Sequence, residues 1–164
     1  MEENSKWIIR KVTNIDNREL YDVLSSVMIE FGVPKKGTAL SDPELKKMSN
    51  AYQNLRSVYY LILKDNKIFG GAGISKLKNS KENICELQKM YFLKQARGIG
   101  LGKKMIKICL SEAINFSYEK CYIETMNNMN SAQNLYLSQG FKYINQPLGN
   151  TGHTSCPVWM LKEL

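Results

Sequence analysis

The segment Gln95-Ala96-Arg97-Gly98-Ile99-Gly100-Leu101-Gly102 lies between an apolar, strand-like run and an amphipathic, helix-like run. Its three alternating glycines leave backbone N–H groups uncovered by side chains, and a helix starting here turns its positive dipole end toward the same point. That is the chemistry of a phosphate site, and Arg97, Lys103 and Lys104 add positive charge around it. Two known phosphate loops fail on spacing. Walker A has a longer interval between its glycines and a Ser or Thr after its lysine, whereas Gly98 and Gly102 stand closer and precede Lys103-Lys104, with no hydroxyl for magnesium. The dinucleotide pattern Gly-x-Gly-x-x-Gly has its third glycine one residue later than Gly102.

The pattern that fits is Q/R-x-x-G-x-G/A, carried by Gln95, Gly98 and Gly100. Upstream stands Glu86-Leu87-Gln88-Lys89-Met90-Tyr91-Phe92; downstream stand Ala132-Gln133-Asn134-Leu135-Tyr136 and Gly140-Phe141. In order and spacing these three motifs resemble the GCN5-related N-acetyltransferase (GNAT) family, specifically from Ile84 to Phe141 and only generally before Ser57. The resemblance implies acetyl-CoA as the acyl donor. It places the phosphates against Gln95, Arg97, Gly98, Ile99, Gly100, Leu101, Gly102 and Lys103, and the pantetheine arm along the backbone of Met90, Tyr91 and Phe92.

Acetyl transfer to an amine needs a held thioester, a neutral amine and a proton for the departing thiolate. Tyr136 is the candidate acid: a phenol of ordinary pKa about 10 can protonate a thiolate of comparable basicity. On pattern alone Ala132, Leu135 and Tyr136 also form a helical stripe that would simply face the core, and it is the resemblance that points the tyrosine at the sulfur. Glu86, four residues before Met90, is the candidate base, because an amine of pKa near 10.4 is mostly protonated at neutral pH. Its plain alternative is a polar partner for a nearby lysine, and Glu124 is the reserve base and a candidate acceptor contact. His153, in the polar loop Pro147–Cys156, is a candidate acceptor contact, although a lone loop histidine is more often solvated or structural. Relatives often carry Asn seven residues before the helix tyrosine; here that residue is Met129, with Asn127, Asn128 and Asn130 beside it.

Positioning these groups requires strands and helices in a particular order. Trp7–Val12 reads as a first strand, and Asn14–Asn17 caps a helix with Leu20, Val23, Leu24, Val27 and Met28 at helical spacing, stopped by Gly32 and Pro34. A loop over Phe31–Leu40 leads to a polar helix expected after Ser41 or Asp42, with Pro43 in its first turn, running toward Asn54. Val58–Leu63 and Ile68–Leu77 flank Asp65-Asn66 as a hairpin. Gly70, Gly71 and Gly73 thin its second strand, either for close packing or for substrate. Ile84–Leu93 is the central strand. Leu101, Met105, Ile108, Cys109, Ala113 and Phe116 mark one face of the helix after the glycines. Cys121–Thr125 is the next strand, Ser131–Gln139 a helix closed by Gly140, and Phe141–Asn145 with Val158–Leu161 a last pair. Hairpins followed by a strand-helix-strand crossover predict an α/β fold, GNAT-like, with a central mixed, mostly antiparallel sheet flanked by helices on both faces.

With 164 residues the chain is expected to form one acetyltransferase domain over 1–164. Lys and Arg outnumber Asp and Glu by 23 to 15, a net charge of +8 that favours anionic partners such as CoA. No nucleic-acid motif accompanies the charge, so nucleic acid is not an expected partner. Cys85, Cys109, Cys121 and Cys156 form no C-x-x-C pair and His153 is the single histidine, so no metal is expected. Met1-Glu2-Glu3-Asn4-Ser5-Lys6 has no apolar signal core and no run is long enough for a membrane span, which predicts a cytoplasmic protein. The sequence therefore predicts an acetyl-CoA-dependent N-acetyltransferase acting by direct transfer on a small-molecule or protein amine, with a homodimer as a further expectation. The competing readings are a CoA-binding regulatory module without turnover and a basic nucleic-acid-binding protein. The acceptor, chosen by Phe31–Asn54 and the His153 loop, has no chemical signature.

Overall fold

Seven segments of β-compatible residues pair into one sheet in a computed structural model that describes residues 6–164; Met1–Ser5, read above for a signal core, lie outside it. The strands are β1 (Ile8–Lys11), β2 (Val58–Lys64), β3 (Lys67–Lys76), β4 (Ile84–Phe92), β5 (Lys120–Thr125), β6 (Lys142–Tyr143) and β7 (Val158–Glu163), in the spatial order β1-β2-β3-β4-β5-β7-β6. The hairpin turn falls at Asp65-Asn66, both with positive φ, as a tight two-residue connection between twisted strands requires. Only β4 and β5 are parallel, and the helix α3 (Leu101–Asn115) makes the crossover between them. Strand alternation sends Val58, Ile62, Cys85 and Leu87 to the face covered by α3 and by α4 (Asn130–Ser138). Tyr59, Leu61 and Leu63 go to the opposite face, under α1 (Asn17–Glu30) and α2 (Met48–Ala51).

Helix α1 buries Leu20, Val23, Leu24, Val27 and Met28, the expected stripe, and stops where Gly32 takes a φ of +68°. Helix α3 buries Ile106 and Leu110 beside Leu101, Met105, Cys109 and Ala113, so its inward stripe is rotated slightly from the expected one. The expected helix from Ser41 toward Asn54 is not continuous. Short 3-10 turns at Ala39–Ser41 and Pro43–Lys46 precede the four-residue α2, and Lys47, at φ −138° and ψ 51°, separates them. Only Leu45 and Met48 are fully buried there, too few apolar anchors for an amphipathic helix of that length. The interruption leaves Asp42 and Glu44 beside β4. The last pair is also uneven: β6 keeps two residues of the expected five, and β7 runs on to Glu163.

The thin strand β3 has a packing cause. A Cβ at Gly71 would come within 2.5 Å of the Tyr59 ring, and one at Gly73 within 2.5 Å of the Val58 carbonyl. The fully buried Tyr59 ring lies across these glycines, and its hydroxyl donates to the Lys89 carbonyl at 2.7 Å. Lys89 itself has a φ of +49°, and the β3–β4 register shifts between Gly71 and Gly73. These are marks of a β-bulge, which bends the strand and re-aims its side chains. Just before the bulge β4 stops following β5: pairing ends at Glu86 with Tyr122, although the two strands continue to Phe92 and Thr125. A seam opens between them at the centre of the sheet.

Candidate functional site

The glycine loop stands at the end of this seam. Gly98 and Gly100 adopt φ values of +72° and +85°, and a Cβ at either would meet nothing within 4 Å. These glycines are therefore needed for the left-handed backbone and for the space above it, not for packing. Gly100 caps α3, and the first N–H groups of the helix have no intrahelical partner. A groove of about 850 Å³ opens here. Its walls include Met90, Tyr91, Phe92, Arg97, Gly98, Gly100, Gly102 and Lys103 from the predicted set, with Val27 of α1, Phe31 just after it, and Asn128 to Ala132 leading into α4. Gln95 and Ile99 are exposed away from these walls, and Leu101 is buried in the core.

Several walls are braced. Arg97 grips Glu30 through both fork nitrogens at 2.9 and 2.7 Å, donates from Nε to the Phe92 carbonyl at 2.7 Å, and lies over the Phe31 ring. Its charge is thereby committed to tying the loop to α1, leaving the exposed Lys94 and Lys103 as the other cations in the groove wall. Asn128 donates to the Phe31 carbonyl at 2.7 Å. Met129, where relatives often have Asn, is buried against the α1 side, so the polar atoms there come from Asn128 and Asn130.

Where β4 and β5 part, a polar cluster faces the α1 side. Glu86 is 5% exposed and accepts from Gln88 Nε2 at 2.6 Å; Gln88 Oε1 accepts from the Tyr52 hydroxyl at 2.6 Å. Glu124 accepts from Tyr122 and from Thr151, both at 2.7 Å. His153 Nε2 lies 3.0 Å from each Asp42 oxygen, and its Nδ1 lies 3.8 Å from Glu124 Oε2. Donor atoms of Glu86, Glu124 and His153 come within 4.8 Å of one another. Lys89, aimed here by the bulge and only 2% exposed along its side chain, bonds Asp42 at 3.0 Å and Glu44 at 3.1 Å.

Burial, with Glu124 beside it, pushes the Glu86 carboxyl up to about 7 against the opposing hydrogen bond from Gln88. Burial works against ionisation of Asp42 too, yet His153 and Lys89 hold it below its ordinary value. His153 is desolvated but raised by Asp42, and Lys89 is desolvated but raised by Asp42 and Glu44. One carboxyl thus titrates near neutral pH while Asp42 and Lys89 beside it stay charged, the arrangement expected of an acid–base group.

Tyr136 sits on the other face, in the α3-side core, its ring edge-on to Phe141 at 6.0 Å. Burial raises its phenol well above the ordinary value. Its hydroxyl makes no protein hydrogen bond among the described residues. Yet Ser25 Oγ is the single fully buried unpartnered side-chain oxygen or nitrogen found there, so the Tyr136 oxygen keeps an open side. Glu86 and Tyr136 therefore lie on opposite faces of the sheet whose strands separate between them. Asp42, Lys89, Gln88, Tyr52 and Thr151 were not anticipated as members of the cluster. One signal was available: the consecutive polar residues Gln88 and Lys89 break strand alternation, as a bulge does.

A central mixed sheet, a strand seam lined by a near-neutral carboxyl, and a glycine loop at a helix start define an acyltransferase. The chain belongs to the acetyltransferase (GNAT) family, whose sequence pattern matches residues 18–141, and is by that membership an N-acetyltransferase. It is 37% identical over 158 residues to the uncharacterized N-acetyltransferase YjgM of Escherichia coli K12, covering 96% of this chain and 95% of that one. Among solved structures, a GNAT acetyltransferase from Staphylococcus aureus Mu50 superposes with a TM-score of 0.86 at 21% identity, over 97% of this chain and 99% of that one. The yncA acetyltransferase of Salmonella typhimurium, solved with acetyl-CoA, superposes with a TM-score of 0.78 at 16% identity, over 98% and 95% of the two chains. Among the described residues no helix is long and apolar enough to cross a membrane.

Proposed function

We propose that the protein transfers the acetyl group of acetyl-CoA directly to a primary amine held at the Glu86–Glu124–Asp42 cluster. The observation that carries this reading is the buried Glu86 carboxyl, pushed up to about 7 at the point where the seam begins. The phosphates of acetyl-CoA lie on the N–H groups from Gly98 to Lys103, and the thioester enters the seam past Met90 and Phe92. Glu86 takes a proton from the ammonium, the amine attacks the thioester carbonyl, and Tyr136, on the other side of the seam, protonates the leaving thiolate. No covalent acyl-enzyme is formed.

The charges at the cluster favour a particular acceptor. Asp42, Glu44, Glu86 and Glu124 are faced by fewer basic groups: Lys89, His153 and, at the outer edge, Lys78 on Glu44 at 3.7 Å. This local negative excess, in a chain of net charge +8, attracts a cationic amine and disfavours one with a carboxylate beside it. Alkyl amines, diamines and lysine side chains fit that description; α-amino acids do not. A thiol-release assay with acetyl-CoA and such a panel tests it. The expected result is acceptor-dependent release with the alkyl amines, reduced about a hundredfold in Glu86→Gln. A folded protein that binds acetyl-CoA but releases no thiol with any amine is instead a regulatory CoA-binding module.

A further inference from the structure

Resting on that reading, we propose that His153, oriented by Asp42, is the outlet through which Glu86 passes its proton to solvent. The balance of the reaction requires such an outlet. An ammonium acceptor carries three protons on nitrogen and the amide product one. One of the two protons lost leaves with the thiol, and the other must reach water. Glu86 collects it but is 5% exposed and sits beneath the cluster. Its Gln88 neighbour offers an N–H and no basic nitrogen.

His153 meets the geometric requirement. Its Nε2 faces both Asp42 oxygens at 3.0 Å, so Asp42 holds the tautomer with hydrogen on Nε2. That leaves the Nδ1 lone pair turned inward, 3.8 Å from Glu124, on a ring with a nitrogen within 4.8 Å of a Glu86 oxygen. The side chain is 15% exposed, as is fitting for a group that must touch both the buried carboxyl and water. In the step, relayed by one water between them, the Glu86 O–H bond breaks and an Nδ1–H bond forms. The imidazolium keeps its Nε2–H on Asp42, and the Nδ1–H bond breaks to give that proton to water entering the acceptor opening, which restores the starting tautomer.

The groups facing His153 come from four elements. They are Asp42 from the segment before α2, Glu86 and Lys89 from β4, Glu124 from β5, and, against the same carboxylates, Cys156 of its own loop. The loop is anchored independently of the imidazole: Ser155 N donates to the Gly37 carbonyl at 2.9 Å, Ser155 Oγ to the Lys36 carbonyl at 3.0 Å, and Asn150 N to the Lys78 carbonyl at 2.9 Å. Removing the ring therefore leaves the loop tethered.

The test uses the full chain, acetyl-CoA and the amine that the wild type turns over best. His153→Ala is expected to lower kcat tenfold or more with acceptor KM changed less than threefold, and added imidazole to restore at least part of the loss. Asp42→Asn is expected to move the acidic limb of the kcat profile to lower pH, because the imidazole loses the carboxylate that favours its protonation. Unchanged kcat in His153→Ala across the pH range overturns the proposal. So does a loss that imidazole leaves untouched, or a changed KM alone, which marks a binding role. If His153→Ala does not fold, the isosteric Asp42→Asn decides: a limb that stays in place overturns the outlet. A wild type inactive with every amine defeats the acetyl-transfer reading itself, and is seen before any variant is made.

Discussion

Glu86 is held at odds with stability. A carboxyl raised to about 7 from 4.5 binds its proton more tightly folded than unfolded, so its contribution to stability declines as pH rises from about 4.5 through 7. The substitution Glu86→Gln keeps an acceptor oxygen for Gln88 and removes the buried charge. It should therefore raise the melting temperature at pH 8 and leave it unchanged at pH 4, while catalysis falls, a trade-off characteristic of functional residues. Calorimetry at the two pH values checks this; a lower Tm at pH 8 would make Glu86 a stabilising ion. Tyr136→Phe separates two roles of one side chain. If the phenol supplies the proton, kcat drops about a hundredfold with acetyl-CoA affinity intact. If the ring only packs against Phe141, kcat stays at the wild-type value.

At the level of elements, two sets of glycines serve opposite purposes, and one substitution in each distinguishes them. Gly100, with a φ of +85° and open space around it, starts α3 at the groove. Gly100→Val should cost about 1–2 kcal/mol of stability for the left-handed backbone. It should weaken acetyl-CoA binding further, ~30-fold or more (about 2 kcal/mol), by filling the space where the pyrophosphate approaches. Titration calorimetry reads the binding, and unchanged affinity in a folded variant would remove the loop from the site. Gly73 is closed in by Val58 and Tyr59. Gly73→Val should therefore cost about 3 kcal/mol of stability through overpacking, read by denaturant unfolding. The Tyr59 ring in that space holds the Lys89 carbonyl, so damage to β3 passes to the bulge that opens the seam.

For the whole molecule, the join between β1 and α1 gives an acid-sensitive anchor. Asp16 accepts from both fork nitrogens of Arg10 at 2.8 Å, and from Thr13 N and Oγ1 at 2.7 and 2.8 Å. The Arg10 hydrogen bonds hold its carboxyl at about 2, against the cost of burial. Because this pKa is depressed, the stabilisation is present above about 4 and disappears as pH falls through about 2. Asp16→Asn should therefore destabilise the protein by about 1–2 kcal/mol at pH 7, discounted for the part-exposed Arg10, and by almost nothing at pH 2. Urea unfolding at both pH values is the check; an equal loss at both would trace the effect to the Thr13 cap alone.

Local patterns carried most of the elements. The stripe of α1, the turn at Asp65-Asn66 and the strand, glycine loop and helix around Gly98 depend on short-range spacing and backbone preference, which a sequence displays directly. The same is true of the loop's place in the groove, because the left-handed φ of Gly98 and Gly100 and the start of α3 are properties of neighbouring residues. The polar cluster is different. Asp42 and His153 are 111 positions apart and Lys89 and Glu44 are 45 apart, and they meet only because the expected helix after Ser41 is interrupted and a bulge turns Lys89 toward it. The near-neutral carboxyl of Glu86 likewise follows from desolvation by side chains of distant strands and loops. The sequence alone determined the elements and the glycine loop, since both arise from interactions a few residues long. The charge state of Glu86, the use of Arg97 as a brace and the pairing of His153 with Asp42 were decided by tertiary structure, since burial and long-range contact exist only once the sheet has closed around them.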